Sequence, residues 1–358
     1  MDNLAHTLVG AALGRAVADR RVRGAAAIGI VAGNAPDWAE FLVTPAPWAP
    51  RAGVAYLVYH RGVTHSLLGA AVLTAALSSL LGLWLRWRAG RRAEPLPEWR
   101  WIAACVGAAV ASHLYLDWQG SYGLRPFLPW NGRWYYADWV AIVDPFFWVV
   151  PLTALAWGAR RHWAPALGVA TLFGAVAVLV LWVGREIVVW WVRLAVALLT
   201  LVAALGWVRH WFGVAGRRRA AASGLLVLAG YAGLSALGSL RARRAAHAAA
   251  LRRFGPEASW AILTEVGRPW QWQPVYASRD TVAGEGWAIP RHLDNPLVRQ
   301  ALATPDGKAI AQFARFLAAA VDSGGAGVRV RLWDARFSTA RFGRSGARPW
   351  AAVEVRLR

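Results

Sequence analysis

The chain has 358 residues, of which 57% are hydrophobic and 16% charged, and its formal net charge is +21. Soluble domains carry about 25% charged residues, so this composition excludes an ordinary soluble enzyme, a disordered chain and a small disulfide-rich scaffold. Its arginines form clumps between apolar runs, which is typical of membrane spans and not of the single basic face of a nucleic-acid-binding domain. The sequence predicts an integral membrane protein with no nucleic-acid partner.

Six apolar segments approach the length of about 20 residues that a helix needs to cross about 30 Å of hydrocarbon. They are 67–87, 100–117, 139–158, 165–183, 187–208 and 220–240. Two earlier apolar segments, 4–18 and 24–43, contain polar residues. They are predicted either to span the membrane or to lie as half-helices inside the bundle. No basic leader and no small-residue cleavage site accompany the first apolar run, so we expect no removable signal peptide.

Arginines that follow alternate spans predict the orientation in the membrane. Basic residues follow the spans that end near residues 87, 158 and 208, and such residues favour the cytoplasmic side. The segments 44–65, 118–138 and 184–186 are then external. We therefore expect a multi-pass protein of the bacterial inner (cytoplasmic) membrane.

The pattern changes after residue 254. Four segments have the alternation or β-rich composition of strands, and residues 307–321 have apolar residues at helical spacing. The predicted strands are 259–266, 271–278, 328–333 and 351–356. The predicted fold is an all-α polytopic membrane helix bundle over residues 1–254, with a small C-terminal α+β domain over 255–358 on the external side.

Ionisable side chains in or beside apolar segments usually mark a functional site, because burying them in a membrane is unfavourable. The candidates are His6, Asp37, His60, His65, His113, Asp117, Asp138 and Asp144. The spacing of His113 and Asp117 places an imidazole and a carboxylate on one helical face, where both can bind one cation. In the predicted topology all eight groups lie at one external membrane depth.

Several candidates also have purely structural interpretations. His6 alone can be a hydrogen-bonded structural histidine, and Asp37 can be a turn or helix-start residue. Asp144 precedes a proline and can cap a helix. His60 and His65 can form an interfacial pair that responds to protonation near the unperturbed histidine pKa of about 6.5. Taken as a set, the eight residues favour a metal site.

The chemistry of such a site follows from its ligand types. With a single cysteine inside an apolar run, the ligands are nitrogen and oxygen atoms, which suit zinc best, with manganese as the alternative and one or two ions. A metal of this kind supports hydrolysis. Asp138 and Asp144 are candidate catalytic carboxylates, with Asp138 as general base. Arg61 and Arg125 are candidates to bind an anionic oxygen of the substrate, or else lipid headgroups.

Four motifs follow one another within the first 150 residues. They are Leu4-Ala-His6, Ala35-Pro36-Asp37, His60-Arg-Gly-Val-Thr-His65-Ser and Ser112-His113-Leu-Tyr-Leu-Asp117. In order and spacing they resemble the YdjM-like family of inner-membrane proteins, described as membrane-bound metal-dependent hydrolases. The resemblance covers about residues 1–150 and implies a metal site that includes these His and Asp residues. The family motif usually reads Pro-Asp-x-Asp, whereas Glu40 is the nearest acidic residue after Asp37 here.

The sequence therefore predicts a membrane-bound metal-dependent hydrolase. The favoured substrate is a phosphate ester of a lipid or envelope precursor, which reaches the site from the surrounding membrane lipids. The alternative is a non-catalytic membrane protein that binds or transports a metal ion or protons through the same residues. A scaffold whose C-terminal domain recruits a partner is a third interpretation.

Overall fold

A computed structural model describes residues 1–41, 52–158, 163–324, 327–338 and 352–357. The chain forms two compact units. The first comprises Met1–Ala39, Val63–Leu237 and Thr264–Gln271, and the second comprises Glu40–Gly62, Gly238–Leu263 and Trp272–Arg358. The predicted domain boundary at residue 254 falls within the second unit and stays a prediction.

Helices account for most of the chain. In chain order they are α1 (Asn3–Ala18), α2 (Ala25–Glu40), α3 (Ala52–Tyr59), α4 (Leu67–Arg91), α5 (Trp99–Trp118), α6 (Phe146–Trp157), α7 (Trp163–Ala177), α8 (Trp190–Val208), α9 (Gly213–Phe254), α10 (Pro296–Ala303) and α11 (Pro305–Phe313). Among the described residues, α4, α8 and α9 are long and apolar enough to cross a membrane. The other predicted crossings stay predictions.

The predicted span 139–158 differs from the structure at its start. Helix α6 begins at Phe146, and the six residues from Trp139 to Asp144 are not helical. The Oδ1 atom of Asp144 accepts a hydrogen bond from the Phe146 N–H at 2.9 Å, and Pro145 has no N–H to donate. Asp144 and Pro145 therefore define the start of α6, which is a short apolar helix of 12 residues.

Glycines let α1 and α2 approach to backbone contact. A Cβ atom added to Gly10 would lie 2.3 Å from the Gly29 carbonyl oxygen, and one on Gly29 would lie 2.0 Å from the Gly10 carbonyl oxygen. One turn away, a Cβ atom on Gly33 would lie 2.9 Å from the His6 carbonyl oxygen. Small residues four apart allow this close packing of membrane helices. The contact brings α1 and the polar end of α2 together.

Two apolar clusters form the core of the first unit. One joins residues of α1 and α5 to α9, with Val149, Leu152 and Val192 among its buried members. The other joins residues of α2 and α5, with Ile102 and Val106 fully buried. Helix α5 contributes to both clusters and also packs directly against α1 and α4, so it holds a central place among the helices of this unit.

The second unit contains two antiparallel sheets. The first has strands β1 (Ser259–Thr264), β2 (Trp272–Ala277), β3 (Thr281–Gly284) and β4 (Trp287–Pro290) in that order, and the second has β5 (Leu317–Gly324), β6 (Gly327–Asp334) and β7 (Ala352–Leu357). Residues from both sheets, among them Leu263, Val275 and Ala318, share one apolar core.

The prediction of a helix over 307–321 is wrong in its second half. Helix α11 ends at Phe313, and Leu317–Gly324 forms β5, in which Leu317 pairs with Asp334 and Val321 with Val330. The alanines of this segment have a high helix propensity. Pairing with β6 and the burial of Ala318 and Ala319 override that local preference.

Candidate metal centre

Five predicted side chains come together in the first unit. They are His6, Asp37, His65, His113 and Asp117, and we call them the imidazole–carboxylate cluster. They come from four parts of the chain: α1, α2, the turn before α4, and α5. Four of the five are fully buried, and Asp37 is half-buried. This grouping could hold a metal ion.

The Nε2 atom of His113 lies at the centre of the cluster. It is 3.0 Å from the Nε2 atom of His65, 3.5 Å from Oδ1 of Asp37 and 3.5 Å from Oδ2 of Asp117. The Nε2 atom of His65 lies 3.2 Å from Oδ1 of Asp37 and 3.5 Å from Oδ2 of Asp117. The predicted spacing of His113 and Asp117 on one helical face is confirmed.

Groups outside the cluster fix the orientation of its two central imidazoles. The Nδ1 atom of His113 lies 2.7 Å from the Gly33 carbonyl oxygen, and a carbonyl oxygen can only accept a hydrogen bond. Nδ1 therefore carries a proton, and Nε2 of the neutral ring presents a lone pair to the cluster. Thr64 Oγ1 lies 3.0 Å from Nδ1 of His65, and this hydroxyl can donate to that nitrogen or accept from it. Such outer partners are typical of metal-binding histidines.

The distances between donor atoms fit a bound cation. Metal–nitrogen bonds of about 2.0–2.1 Å at tetrahedral angles separate two ligand atoms by about 3.3 Å. The five distances among the donor atoms of His65, His113, Asp37 and Asp117 range from 3.0 to 3.5 Å. Two nitrogen lone pairs would repel at 3.0 Å, so either one of the two Nε2 atoms donates a hydrogen bond to the other or a cation lies between them.

His6 and the start of the chain complete the surroundings of Asp117. The rings of His6 and His113 stack with centroids 3.8 Å apart, and Nε2 of His6 lies 3.3 Å from Oδ1 of Asp117. The α-amino group of Met1 also contacts Asp117. The Nδ1 atom of His6 is buried without a hydrogen-bond partner among the described residues. His6 therefore offers the cluster a further nitrogen ligand.

Two predicted site residues, His60 and Arg61, belong to the second unit. There the Nδ1 atom of His60 lies 2.9 Å from Oε2 of Glu40, and the Arg61 N–H donates to Oε1 of the same carboxylate at 2.6 Å. Arg61 is buried and has a φ of 55°, a conformation that is strained for a long side chain. Glu40, the nearest acid to the missing family position, thus binds the motif that contains His60.

The two predicted catalytic aspartates lie in different surroundings. Asp138 is fully buried with a φ of 53°. Its neighbours Ala137 and Trp139 donate backbone hydrogen bonds to Trp118 and Gln119, directly after Asp117. Asp144 is not among the groups with metal-binding geometry in the described residues. It accepts hydrogen bonds from the Tyr231 hydroxyl at 2.5 Å and from the Phe146 N–H, which supports its interpretation as a helix-start residue.

Sequence reasoning missed several residues that position the site. Gly33 and Thr64 orient the histidines, and Tyr231 binds Asp144 from a helix far along the chain. The patterns Gly10-x-x-x-Gly14 and Gly29-x-x-x-Gly33 could have revealed the contact between α1 and α2, because this spacing is typical of closely packed membrane helices. No sequence signal indicates that Tyr231 is the partner of Asp144.

Comparisons with known proteins extend the resemblance seen in the motifs. The model of the YdjM inner membrane protein family matches residues 1–188, which include the whole imidazole–carboxylate cluster. The uncharacterized protein YfhP of Bacillus subtilis (strain 168) is 26% identical over 164 residues, which are 44% of this chain and 46% of YfhP. The chain thus spans about half the length of this relative. No solved structure matches. Because the family model covers more than half of it, the chain belongs to the YdjM inner membrane protein family.

Proposed function

We propose that this protein is a membrane-bound, metal-dependent hydrolase of the inner membrane. The observation that carries the proposal is a set of four donor atoms in a buried part of the chain, made of Nε2 of His113 and the three atoms around it, with five distances of 3.0–3.5 Å between them. Two carboxylates and two oriented imidazoles form a ligand set of the kind that binds zinc or manganese.

A single zinc ion is the favoured occupant. Two of the groups with metal-binding geometry in the described residues, His6–Asp37–His113 and His65–His113–Asp117, share His113. The other nitrogen of that ring is bonded to the Gly33 carbonyl, so His113 can serve one ion only. When bound, the metal would act as a Lewis acid that activates water and polarises an ester.

The chain's own residues would supply the remaining functions. Asp37, His65, His113 and Asp117 hold the metal, and His6 positions Asp117 or completes the ligand set. Asp138, which the backbone holds beside the end of α5, takes the proton of the attacking water as general base. Arg125 is buried, with its guanidinium 4.9 Å from the centre of the Trp134 ring, and it would bind an anionic ester oxygen.

We favour a phosphate ester of a lipid or envelope precursor as the substrate. The cluster lies near the ends of α2 and α5 and the start of α4, and α4 is a candidate membrane span. The cluster would then lie at headgroup depth, where a lipid ester can arrive laterally. In the orientation predicted by the arginines this is the external face of a multi-pass bundle, with the C-terminal domain on the same side.

One observation also supports a second candidate function. The 3.0 Å separation between the Nε2 atoms of His65 and His113 fits a proton shared between two imidazoles as well as a shared cation. A network of this kind would bind or transfer protons without hydrolysis. Metal content separates the two functions, because a proton-sharing pair needs no stoichiometric metal.

The test is elemental analysis of the detergent-purified protein beside its His65→Ala and His113→Ala variants. His247→Ala is the matched control, because His247 stacks on Trp260 in the second unit. We expect about one zinc or manganese per chain in the wild type and the control, and loss of this metal in both cluster variants. The metal-loaded protein should then cleave bis-p-nitrophenyl phosphate or phosphatidic acid in micelles. A wild type that stays metal-free after reconstitution would overturn the proposal.

A further inference from the structure

A second feature of the first unit lies at the other end of α2 from the cluster. A groove of about 490 Å³ runs between the start of α2 and the last turns of α4. Its lining residues are Arg23, Gly24, Ala27, Ile28, Val31, Leu81, Trp84, Leu85 and Arg88. Two arginines flank one end, and the rest of the lining is almost entirely apolar.

The groove has the dimensions and polarity of a lipid site. From Gly24 to Val31 the helix advances about 10 Å at 1.5 Å per residue. The arginines lie at the ends of helices, where a membrane interface is expected, and the apolar part leads from there toward the middle of α4. Half of the hydrocarbon core is about 15 Å thick, so the groove can follow an acyl chain through most of one leaflet.

The charged end offers positive groups to an anion. The guanidinium of Arg88 lies 5.4 Å from the centre of the Trp84 ring, and Arg88 has no carboxylate partner among the described residues. Arg23 pairs with Glu94 at 2.5 Å, but its side chain is 75% exposed, and such surface pairs are weak and exchangeable. Gly24 precedes the first turn of α2, whose N-terminal dipole adds positive potential at the same end.

We propose that this groove binds an anionic phospholipid of the surrounding membrane, with its phosphate between Arg23 and Arg88 and an acyl chain along Ile28, Val31 and Leu81. Basic pockets between membrane helices bind anionic headgroups in this manner. The tryptophan at the rim suits the headgroup region, where indole rings are enriched. The groove is separate from the imidazole–carboxylate cluster, so this proposal does not depend on the proposed hydrolase activity.

The charge test compares two arginines on the same helix. Arg88 lines the groove, whereas Arg91 stacks on Trp87 and does not line it. The full-length protein in detergent is titrated with dioleoyl phosphatidylglycerol, and bound lipid is counted by native mass spectrometry. Arg88→Gln should weaken binding by about tenfold, as expected for a lost charge-assisted hydrogen bond. Arg91→Gln should have a smaller effect, because it removes only a general charge near the membrane.

The shape test fills the groove without a change of charge. Ala27→Trp would occupy the apolar part, and Ala76→Trp is the matched control because Ala76 is an exposed alanine of α4 outside the groove. We expect Ala27→Trp to abolish the binding of phosphatidylglycerol and Ala76→Trp to leave it unchanged. Size-exclusion profiles and thermal unfolding show whether each variant is folded.

Four results would overturn the proposal. Equal weakening by Arg88→Gln and Arg91→Gln would show diffuse electrostatic attraction. Equal binding of dioleoyl phosphatidylcholine would exclude headgroup recognition. Displacement of the lipid by millimolar inorganic phosphate would indicate a site for a free anion. A folded Ala27→Trp variant with unchanged lipid binding would show that the acyl chain lies elsewhere.

Discussion

Asp117 and Asp144 are both buried carboxylates of the first unit, but their neighbours differ in kind. Asp144 accepts hydrogen bonds from a tyrosine hydroxyl and a backbone N–H. Asp117 lies within 3.3–3.5 Å of three imidazole Nε2 atoms, and the proton of His113 is on the opposite nitrogen. Asp117 also contacts the α-amino group of Met1. Asp144 is therefore held by two neutral hydrogen-bond donors, whereas Asp117 lies among groups that can carry a proton or, for the imidazoles, bind a cation.

This comparison separates two groups that the sequence placed together. Both aspartates were predicted at one membrane depth as parts of one constellation. Asp117 belongs to a buried His/Asp grouping that could hold a metal ion, whereas Asp144 lies outside the groups of this kind among the described residues and accepts hydrogen bonds from Tyr231 and Phe146. Burial of an acidic residue in an apolar segment therefore indicates a polar partner, and only the type of partner distinguishes a metal site from a structural one.

The largest expected effect is on metal binding by Asp117→Asn. An amide is a poorer metal ligand than a carboxylate. Mutation of a group that only hydrogen-bonds to a ligand lowers metal affinity by about 10–100-fold, so loss of a ligand itself should lower it by more than about 100-fold. Asp144→Asn is the matched control and should retain the wild-type metal content. Elemental analysis after dialysis against a zinc buffer measures both. Equal metal loss in the two variants would contradict the distinction between the two aspartates.

The next largest effect is expected where the two helices that carry His6 and Asp37 touch. Gly29→Ala places a methyl group 2.0 Å from the Gly10 carbonyl oxygen, so α1 and α2 must separate. We expect a loss of about 3 kcal/mol in unfolding free energy, together with weaker metal binding. Gly230→Ala, in α9 with open space around it, is the control and should be neutral or stabilising. Thermal unfolding in detergent measures the difference.

A smaller effect is expected for Tyr231→Phe. This change removes the hydroxyl that donates to Asp144. Because a buried acceptor then loses its donor, we expect the unfolding free energy to fall by about 2 kcal/mol. Metal content should not change, since Asp144 lies outside the cluster. Tyr115→Phe, at an exposed position on α5, provides the comparison and should unfold as the wild type does. Loss of metal in Tyr231→Phe would link Asp144 to the metal centre after all.

The smallest effect is expected for Thr64→Val, which keeps the side-chain shape and removes the hydroxyl beside Nδ1 of His65. We expect metal affinity to fall by about tenfold, at the low end of the range for such outer partners. In the control, Thr153→Val, the lost hydroxyl bonds only to the Val149 carbonyl within α6. A competition titration with a zinc-binding dye has the required resolution, and identical affinities in both variants would show that Thr64 does not orient His65.

Local patterns in the sequence predicted much of the helical part. Apolar runs predicted α4, α8 and the central part of α9, and the i, i+4 spacing of His113 and Asp117 predicted their common face. These features depend on neighbouring residues along one helix. The strand β5 over an alanine-rich segment was not predicted, because its pairing with the distant strand β6 decides it. The start of α6 follows from the local Asp144-Pro145 pair, which the sequence offered as a helix cap but which the predicted span 139–158 did not use.

The sequence by itself determined that this protein is apolar, helical and rich in arginine between its spans, and that its early motifs carry imidazoles and carboxylates. These properties follow from composition and short spacing. Only the tertiary structure decided which of those groups meet. Gly10 and Gly29 bring α1 and α2 into backbone contact, the Gly33 carbonyl orients His113, and Tyr231 binds Asp144 from 87 residues away. The two Gly-x-x-x-Gly patterns indicate that α1 and α2 can pack closely, but which groups then meet, and the direction of their hydrogen bonds, depend on how all the helices pack.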